Sequence, residues 1–204
     1  TTIGTVLLQD AETGQVICIM DGGYLTAVRT GAVSGLATRV LARETPGQVA
    51  AVYGAGSMAQ MQLWAVHEAR KVSKALVYDV LPESAQKFKQ AMEAKLGIPV
   101  EVATDGAQLL DADIICTATS SATPIFDGTK VKPGTHINGI GSHSPGAREL
   151  DTAIIQRSLL IADSREACLA EAGDIMIPLE AGEIGEDRIH AELGEVIVGK
   201  KAGR

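Results

Sequence analysis

Apolar and polar positions alternate along this chain in two different rhythms. Residues 3–9 and 15–20 are β-rich runs flanking Asp10-Ala-Glu-Thr-Gly14, and a glycine in the turn suits a hairpin. The Asp21-Gly22-Gly23 sequence breaks the second run. Leu25, Val28, Ala32, Leu36, Val40 and Leu41 then recur near helical spacing, which predicts a helix over about 24–43, closed by Pro46-Gly47. From Gln48 the rhythm changes. Short apolar runs at 49–53, 74–79, 98–103, 113–117, 136–140 and 159–162 read as strands, the last of these closing the series. Helical segments at 57–70 and 82–96 lie between them, the second with Pro at its start and Gly97 at its end, and a short helix falls near 106–110.

Parallel neighbours need a long connection, so strands separated by crossover helices predict an α/β fold with a doubly wound, Rossmann-like parallel sheet. Three regions follow. Residues 1–45 carry the hairpin and a connecting helix, 46–175 the alternating strands and helices, and 176–204 a last segment outside that alternation.

The chemistry starts at Gly54-Ala-Gly56-Ser57-Met58-Ala59, a GxGxxA string at a strand end that opens a helix. Gly54 allows the tight turn, Gly56 allows a pyrophosphate to approach the backbone, and Ala59 keeps helix and sheet close. The helix N-terminus offers free N–H groups and a partial positive charge to the phosphates. Asp79 closes the next strand, where an acid accepts hydrogen bonds from the adenosine ribose. Val80 and Leu81 follow it with no arginine to meet a 2′-phosphate, so NAD is favoured and NADP stays possible. Methyltransferases that bind S-adenosylmethionine use a similar glycine turn and ribose acid, and that reading stays open.

Ligands on open α/β sheets bind outside the carboxyl ends of the strands, so two later strand ends matter. In Cys116-Thr-Ala-Thr119-Ser120-Ser121 small hydroxyl groups can touch a cofactor, or merely turn the backbone. Gly139-Ile140-Gly141-Ser142-His143 has glycines that admit a flat ring, and a histidine suited to proton transfer near pH 7. A hydrogen-bonded loop histidine is the plainer alternative. His67, on the first helix of the alternating region, reads as surface or packing.

Composition narrows the partners. The formal charge of −7 supplies no basic stripe for nucleic acid, and no apolar run reaches membrane-spanning length. Aromatics are only 3% of a chain that is 46% hydrophobic, so small aliphatic side chains must do the packing. Cys18, Cys116 and Cys168 are dispersed and fit reduced cytoplasmic thiols, and the four histidines lack metal-ligand spacing, so no metal is expected. Thr at position 1 and a Gly-Lys-Lys-Ala-Gly-Arg tail without a closing element lead us to expect a fragment.

Taken in order, these segments resemble one family. Leu25-Thr-Ala-Val-Arg29-Thr30-Gly-Ala-Val-Ser34 is similar to the LTxxRTxAxS helix of the ornithine cyclodeaminase/mu-crystallin family, and Gly54–Ala59 to its dinucleotide turn. The stretch from Ile137 to Asp151 resembles its strand-end signature, and Glu171-Ala-Gly-Asp174 and Ala191-Glu-Leu-Gly-Glu195 its later motifs. The resemblance implies NAD(P)-dependent hydride transfer at the α-carbon of a small amino or imino acid, alanine dehydrogenase-like or ketimine reductase-like, in a cytoplasmic homodimer. It assigns residues 1–45 to a partial substrate or dimerisation unit, 46–175 to an NAD(P)-binding Rossmann domain and 176–204 to the start of a return to the first unit, and it places Arg29, with Thr30 beside it, in the cofactor and substrate cleft. It also places Thr1, Ser57, Met58, Asp79, Thr119 and Ile140–His143 on cofactor contacts. Cyclodeaminases carry aspartate where His143 stands, which argues against true ornithine cyclisation. A non-catalytic NAD(P)H-binding protein of crystallin type remains the alternative within the family. The family's N-terminal substrate arginine and lysine have no counterpart in this chain.

Overall fold

A computed structural model describes residues 3–204. Strands β1 (Thr5–Gln9) and β2 (Val16–Asp21) form the expected antiparallel hairpin. Its turn is held by Asp10, whose Oδ1 accepts from the Glu12 and Thr13 amides and the Thr13 hydroxyl, while Gly14 takes φ +73°.

Helix α1 (Gly22–Leu41) starts two residues earlier than its apolar spacing predicts, because Asp21 caps it by accepting from the Tyr24 amide at 2.7 Å. Its buried face also differs from the apolar series. Ala27, Gly31, Ser34, Gly35 and Thr38 face inward, whereas Leu25 is 38% and Val33 42% exposed. The small residues let α1 lie against α2 (Ser57–Arg70) almost backbone to backbone. A Cβ on Gly31 would stand 2.6 Å from the Met61 carbonyl oxygen, and one on Gly35 2.9 Å from that of Ala65.

Strands β3 (Val49–Tyr53), β4 (Lys74–Tyr78), β5 (Val100–Val102), β6 (Ile114–Thr117) and β7 (His136–Gly139) make a five-stranded parallel sheet in the order β5-β4-β3-β6-β7. Helix α3 (Pro82–Leu96), with Pro at its first position and Gly97 as its left-handed cap, joins β4 to β5. The order reverses between β3 and β6, the switch point at which such sheets bind ligands. No α-helix crosses between β6 and β7; a 3-10 turn at Gly128–Lys130 serves instead, and another at Gly106–Leu109 precedes β6.

Alternation along β3 divides the core. Ala50 and Val52 pack with Leu63, Phe88 and Met92 beneath α2 and α3, while Ala51 and Tyr53 pack with Leu109, Ile115 and Ile154 on the other face. Burying a side chain such as Phe88 contributes about 2–3 kcal/mol.

Beyond β7 the chain makes α4 (Thr152–Arg157), β8 (Leu160–Ala162), α5 (Arg165–Glu171), α6 (Gly173–Glu180), β9 (Ile189–Glu192) and α7 (Leu193–Ile197). This corrects the expectation that 159–162 is the last strand. β8 stands outside the main sheet and pairs in parallel with β9, a four-residue strand whose alternating Ile189 and Ala191 are buried. Among the described residues no helix is long and apolar enough to cross a membrane.

Candidate active site

The carboxyl ends of β3, β4, β6 and β7 converge at the switch point, and ladder bonds continue past the strands to fix the loops. The Gly54 amide donates to Tyr78 O at 2.8 Å, that of Ala118 to Tyr53 O at 2.9 Å, and that of Ile140 to Thr117 O at 3.2 Å. Gly54 is irreplaceable on two counts. Its φ is +93°, and a Cβ would lie 2.5 Å from Ala118 O.

Gly56 is different, since nothing lies within 4 Å of where its Cβ would be. It stands at the N-cap of α2 and offers no side-chain cap. The first-turn N–H groups of this fourteen-residue helix, at Ser57, Met58 and Ala59, have no acceptor among the described residues. Anions are favoured at such a terminus by both hydrogen bonding and the helix dipole.

Asp79 lies immediately after β4, half-buried. Its Oδ2 accepts from the Ala55 amide at 2.8 Å and its Oδ1 from the Leu81 amide at 2.8 Å. The carboxylate thus clamps the glycine turn, and each oxygen keeps a further lone pair for a hydroxyl donor. Val80 and Leu81 beside it are exposed and bring no cation.

Across the switch point, the Thr119 hydroxyl accepts from the Ser121 amide at 3.2 Å, so it turns its own loop, and its methyl group faces Gly54. Ser120 is exposed. His143 is also exposed, and its Nδ1 lies 2.7 Å from Gly141 O. A carbonyl only accepts, so Nδ1 carries the hydrogen and, in the neutral ring, Nε2 is left with its lone pair free.

Two carboxylates that strand-end motifs did not single out hold these loops together. Glu149 is fully buried and accepts from the Thr117 hydroxyl at 2.6 Å, the Thr119 amide at 2.5 Å and the Gly141 amide at 2.8 Å. Asp174, at the start of α6, accepts from the Glu149 and Leu150 amides at 2.7 and 2.9 Å, and its own amide donates to the Ser142 hydroxyl at 2.8 Å. Burial above all, helped by the negative charge of Glu149, pushes the Asp174 carboxyl up to about 6. The signal available in the sequence was that both acids lie inside stretches resembling family motifs, Ile137 to Asp151 and Glu171 to Asp174, though neither residue stands out within its stretch.

The structure thus gathers Gly54, Gly56, Ser57, Met58, Asp79, Thr119, Ile140, Gly141, Ser142 and His143 along one edge of the sheet. Arg29 lies exposed on α1, and among the described residues no hydrogen bond or ion pair ties it to these loops. The Thr30 hydroxyl is buried without a hydrogen-bond partner among the described residues. Thr1 lies outside the described residues.

Known proteins share this fold and much of this sequence. The sequence model of the ornithine cyclodeaminase/mu-crystallin family matches residues 1–204. The delta(1)-pyrroline-2-carboxylate reductase of Bacillus thuringiensis subsp. konkukian is 39% identical over 203 residues, which is 98% of this chain and 62% of that protein. The Thermococcus litoralis delta(1)-pyrroline-2-carboxylate reductase, solved with NADH and L-proline, superposes with TM-score 0.93 at 44% identity, covering 98% of this chain and 62% of that one. An archaeal alanine dehydrogenase dimer with bound NAD superposes with TM-score 0.88 at 35% identity, covering 97% and 61%. The chain spans about 62% of the length of these pyrroline-2-carboxylate reductases.

Proposed function

Because the chain belongs to the ornithine cyclodeaminase/mu-crystallin family, we propose that it is the dinucleotide-binding part of an NAD(H)-dependent oxidoreductase acting at the α-carbon of a small amino or imino acid. A cyclic imino acid is the favoured substrate. The observation that carries this reading is the uncapped start of α2, open over Gly56 and flanked by the Asp79 carboxylate. Its amides suit the pyrophosphate, and Asp79 suits the ribose hydroxyls. A carboxylate with no neighbouring cation repels a 2′-phosphate, which favours NAD over NADP.

When bound, the reduced cofactor supplies the hydride. The protein's part is to hold the substrate and move a proton. His143, with Nδ1–H held by Gly141 O, presents Nε2 as the atom that takes or returns the proton of the substrate nitrogen. Arg29 supplies a planar fork for a carboxylate or phosphate. Reduction delivers the hydride to the carbon and a proton to the nitrogen of C=N, giving CH–NH, and oxidation reverses both. Residues 1–45 and 176–204 we assign to a substrate and dimerisation unit. The exposed apolar residues Leu7, Ile17 and Ile19 of the hairpin, and the dimeric alanine dehydrogenase, support pairing of two copies. Three free cysteines suit the reducing cytoplasm.

The test mixes the whole protein with NADH and delta(1)-pyrroline-2-carboxylate, and follows loss of reduced-nicotinamide absorbance and appearance of L-proline. L-Alanine with NAD, run in parallel, tests the alanine dehydrogenase reading favoured by the second structural neighbour. NADH binding without turnover of any amino or imino acid would leave a non-catalytic binding protein. Failure to bind NADH would remove the reading altogether.

A further inference from the structure

Beyond the last ladder bond, from Ile140 N to Thr117 O, the stretches 118–121 and 140–143 that lead away from β6 and β7 have no direct hydrogen bond to each other among the described residues. Their connection runs through the Glu149 carboxylate. One oxygen receives the Thr117 hydroxyl and the Gly141 amide, one from each side, and the other receives the Thr119 amide. Gly141 is shaped to this contact, since a Cβ there would fall on the Glu149 carboxylate. The circuit closes through Asp174. Glu149 N donates to Asp174 Oδ1, Asp174 N donates to the Ser142 hydroxyl, and Ser142 follows Gly141 in the chain. The Glu149 carbonyl also accepts from Ile125 N at 2.9 Å, so a third segment hangs on the same residue.

Glu149 has no salt-bridged cation among the described residues, and a fully buried carboxylate of that kind is a poor way to gain stability, because an apolar side chain of similar volume costs less to bury. What the carboxylate supplies is geometry. It accepts three charge-assisted bonds from donors on two loops that otherwise offer glycines and small hydroxyl residues. We propose that Glu149 is a positioning residue that locks the loops after β6 and β7 into one wall for the nicotinamide end of the dinucleotide, apart from the glycine turn that takes its phosphates. This rests on the dinucleotide reading above.

The experiment compares two probes, NADH and ADP-ribose, which share the adenosine and pyrophosphate and differ at the nicotinamide end. Glu149→Gln keeps the shape, but its amide group faces N–H or O–H donors with a donor of its own. We expect NADH affinity to fall about tenfold while ADP-ribose affinity stays within about twofold. In a ¹H–¹⁵N spectrum, the Thr119 and Gly141 amide protons should both move upfield in the variant. Parallel losses for the two probes, or none for either, overturn the inference. Should Glu149→Gln not fold, Thr117→Val removes one of the three bonds at nearly constant volume. It should show the same selective loss, about two- to threefold, and equal affinities for both probes relative to the natural protein overturn the inference there too. A natural protein that binds neither probe sinks the dinucleotide reading itself, an outcome distinct from parallel losses.

Discussion

The two halves of the switch point are built in opposite ways. On the β3 side, the Gly54–Ser57 turn is a site made of backbone: a positive-φ glycine, a bare N-cap and the amides of one helical turn. On the β6 and β7 side, the loops are shaped by buried side chains, with Glu149 and Asp174 distributing acceptors to donors from three segments. The first half is open and requires that nothing be present. The second is closed and requires particular atoms at particular distances. A phosphate cradle tolerates this openness because every dinucleotide brings the same pyrophosphate, whereas the reacting end must hold a ring to a fraction of an ångström.

Function and stability should separate along that line, and the largest effect belongs to the reacting side. His143→Ala removes an exposed ring bonded to a single carbonyl, so the fold should keep its melting temperature. Turnover should fall about a thousandfold, within the range for loss of a general acid–base, while NADH affinity stays within about twofold. Steady-state kinetics with the imino acid checks this, and unchanged turnover would take His143 out of the mechanism. On the backbone side the two glycines should part company. Gly54→Ala forces a side chain into φ +93° and against Ala118 O, and should cost about 3 kcal/mol of stability. Gly56→Ala meets nothing in the protein and should leave the melting temperature alone, but weaken NADH about tenfold by crowding the phosphates. If Gly56→Ala binds NADH as the natural protein does, the cofactor does not cross that turn.

The same contrast explains what could be read from the chain. The glycine turn was legible because strand, glycines, helix and acid lie within 31 residues and each acts through local backbone rules. The centre of the main sheet was legible for a similar reason: β3, β4 and β6 are largely buried, mostly apolar runs between turn signals. Glu149 was not. Its partners stand 32, 30 and 8 residues away, and nothing near it marks it as an acceptor rather than a surface acid. The inward face of α1 was hidden too, because periodicity weighs leucines and valines, while this interface is chosen for absence of bulk at Gly31 and Gly35. Strand β9 has four residues, Ile189-His-Ala-Glu192, whose apolar–polar alternation is too short to stand out from the sequence, and its pairing with β8 makes it a strand.

The closed half should also declare itself through pH. Asp174 is raised from 3.8 to about 6, chiefly by burial, so between these values the folded protein holds more proton than the unfolded chain. Its favourable contribution is therefore complete below about 4 and is lost as pH rises through about 6, a swing of about 2–3 kcal/mol. Asp174→Asn keeps an oxygen for the Glu149 and Leu150 amides and abolishes the titration. Relative to the natural protein it should gain stability steadily between pH 4 and 7. His136, lowered from 6.5 to about 4 by burial, acts in the opposite sense, since stability is lost as pH falls through that window. The measurement is therefore the difference between variant and natural protein in denaturant unfolding. A difference independent of pH would mean that Asp174 does not titrate there.

The smallest effect sits where the two constructions touch. Asp79 serves the glycine turn by accepting from Ala55 N, and in the proposed function it also serves the ligand by accepting from ribose hydroxyls. Asp79→Asn preserves the shape and removes the charge. It should weaken NADH about tenfold, the scale of one charge-assisted hydrogen bond. NADPH should weaken less or gain, because the repulsion of a 2′-phosphate disappears with the charge, so the ratio of the two affinities narrows. Fluorescence titration with both nucleotides reads that ratio independently of any change in stability. Should the melting temperature fall while both affinities hold, Asp79 would be a brace for Ala55 and Leu81 alone. The adenosine end would then be recognised entirely by backbone, and the division between an open backbone half and a closed side-chain half would be sharper than the hydrogen bonds already make it.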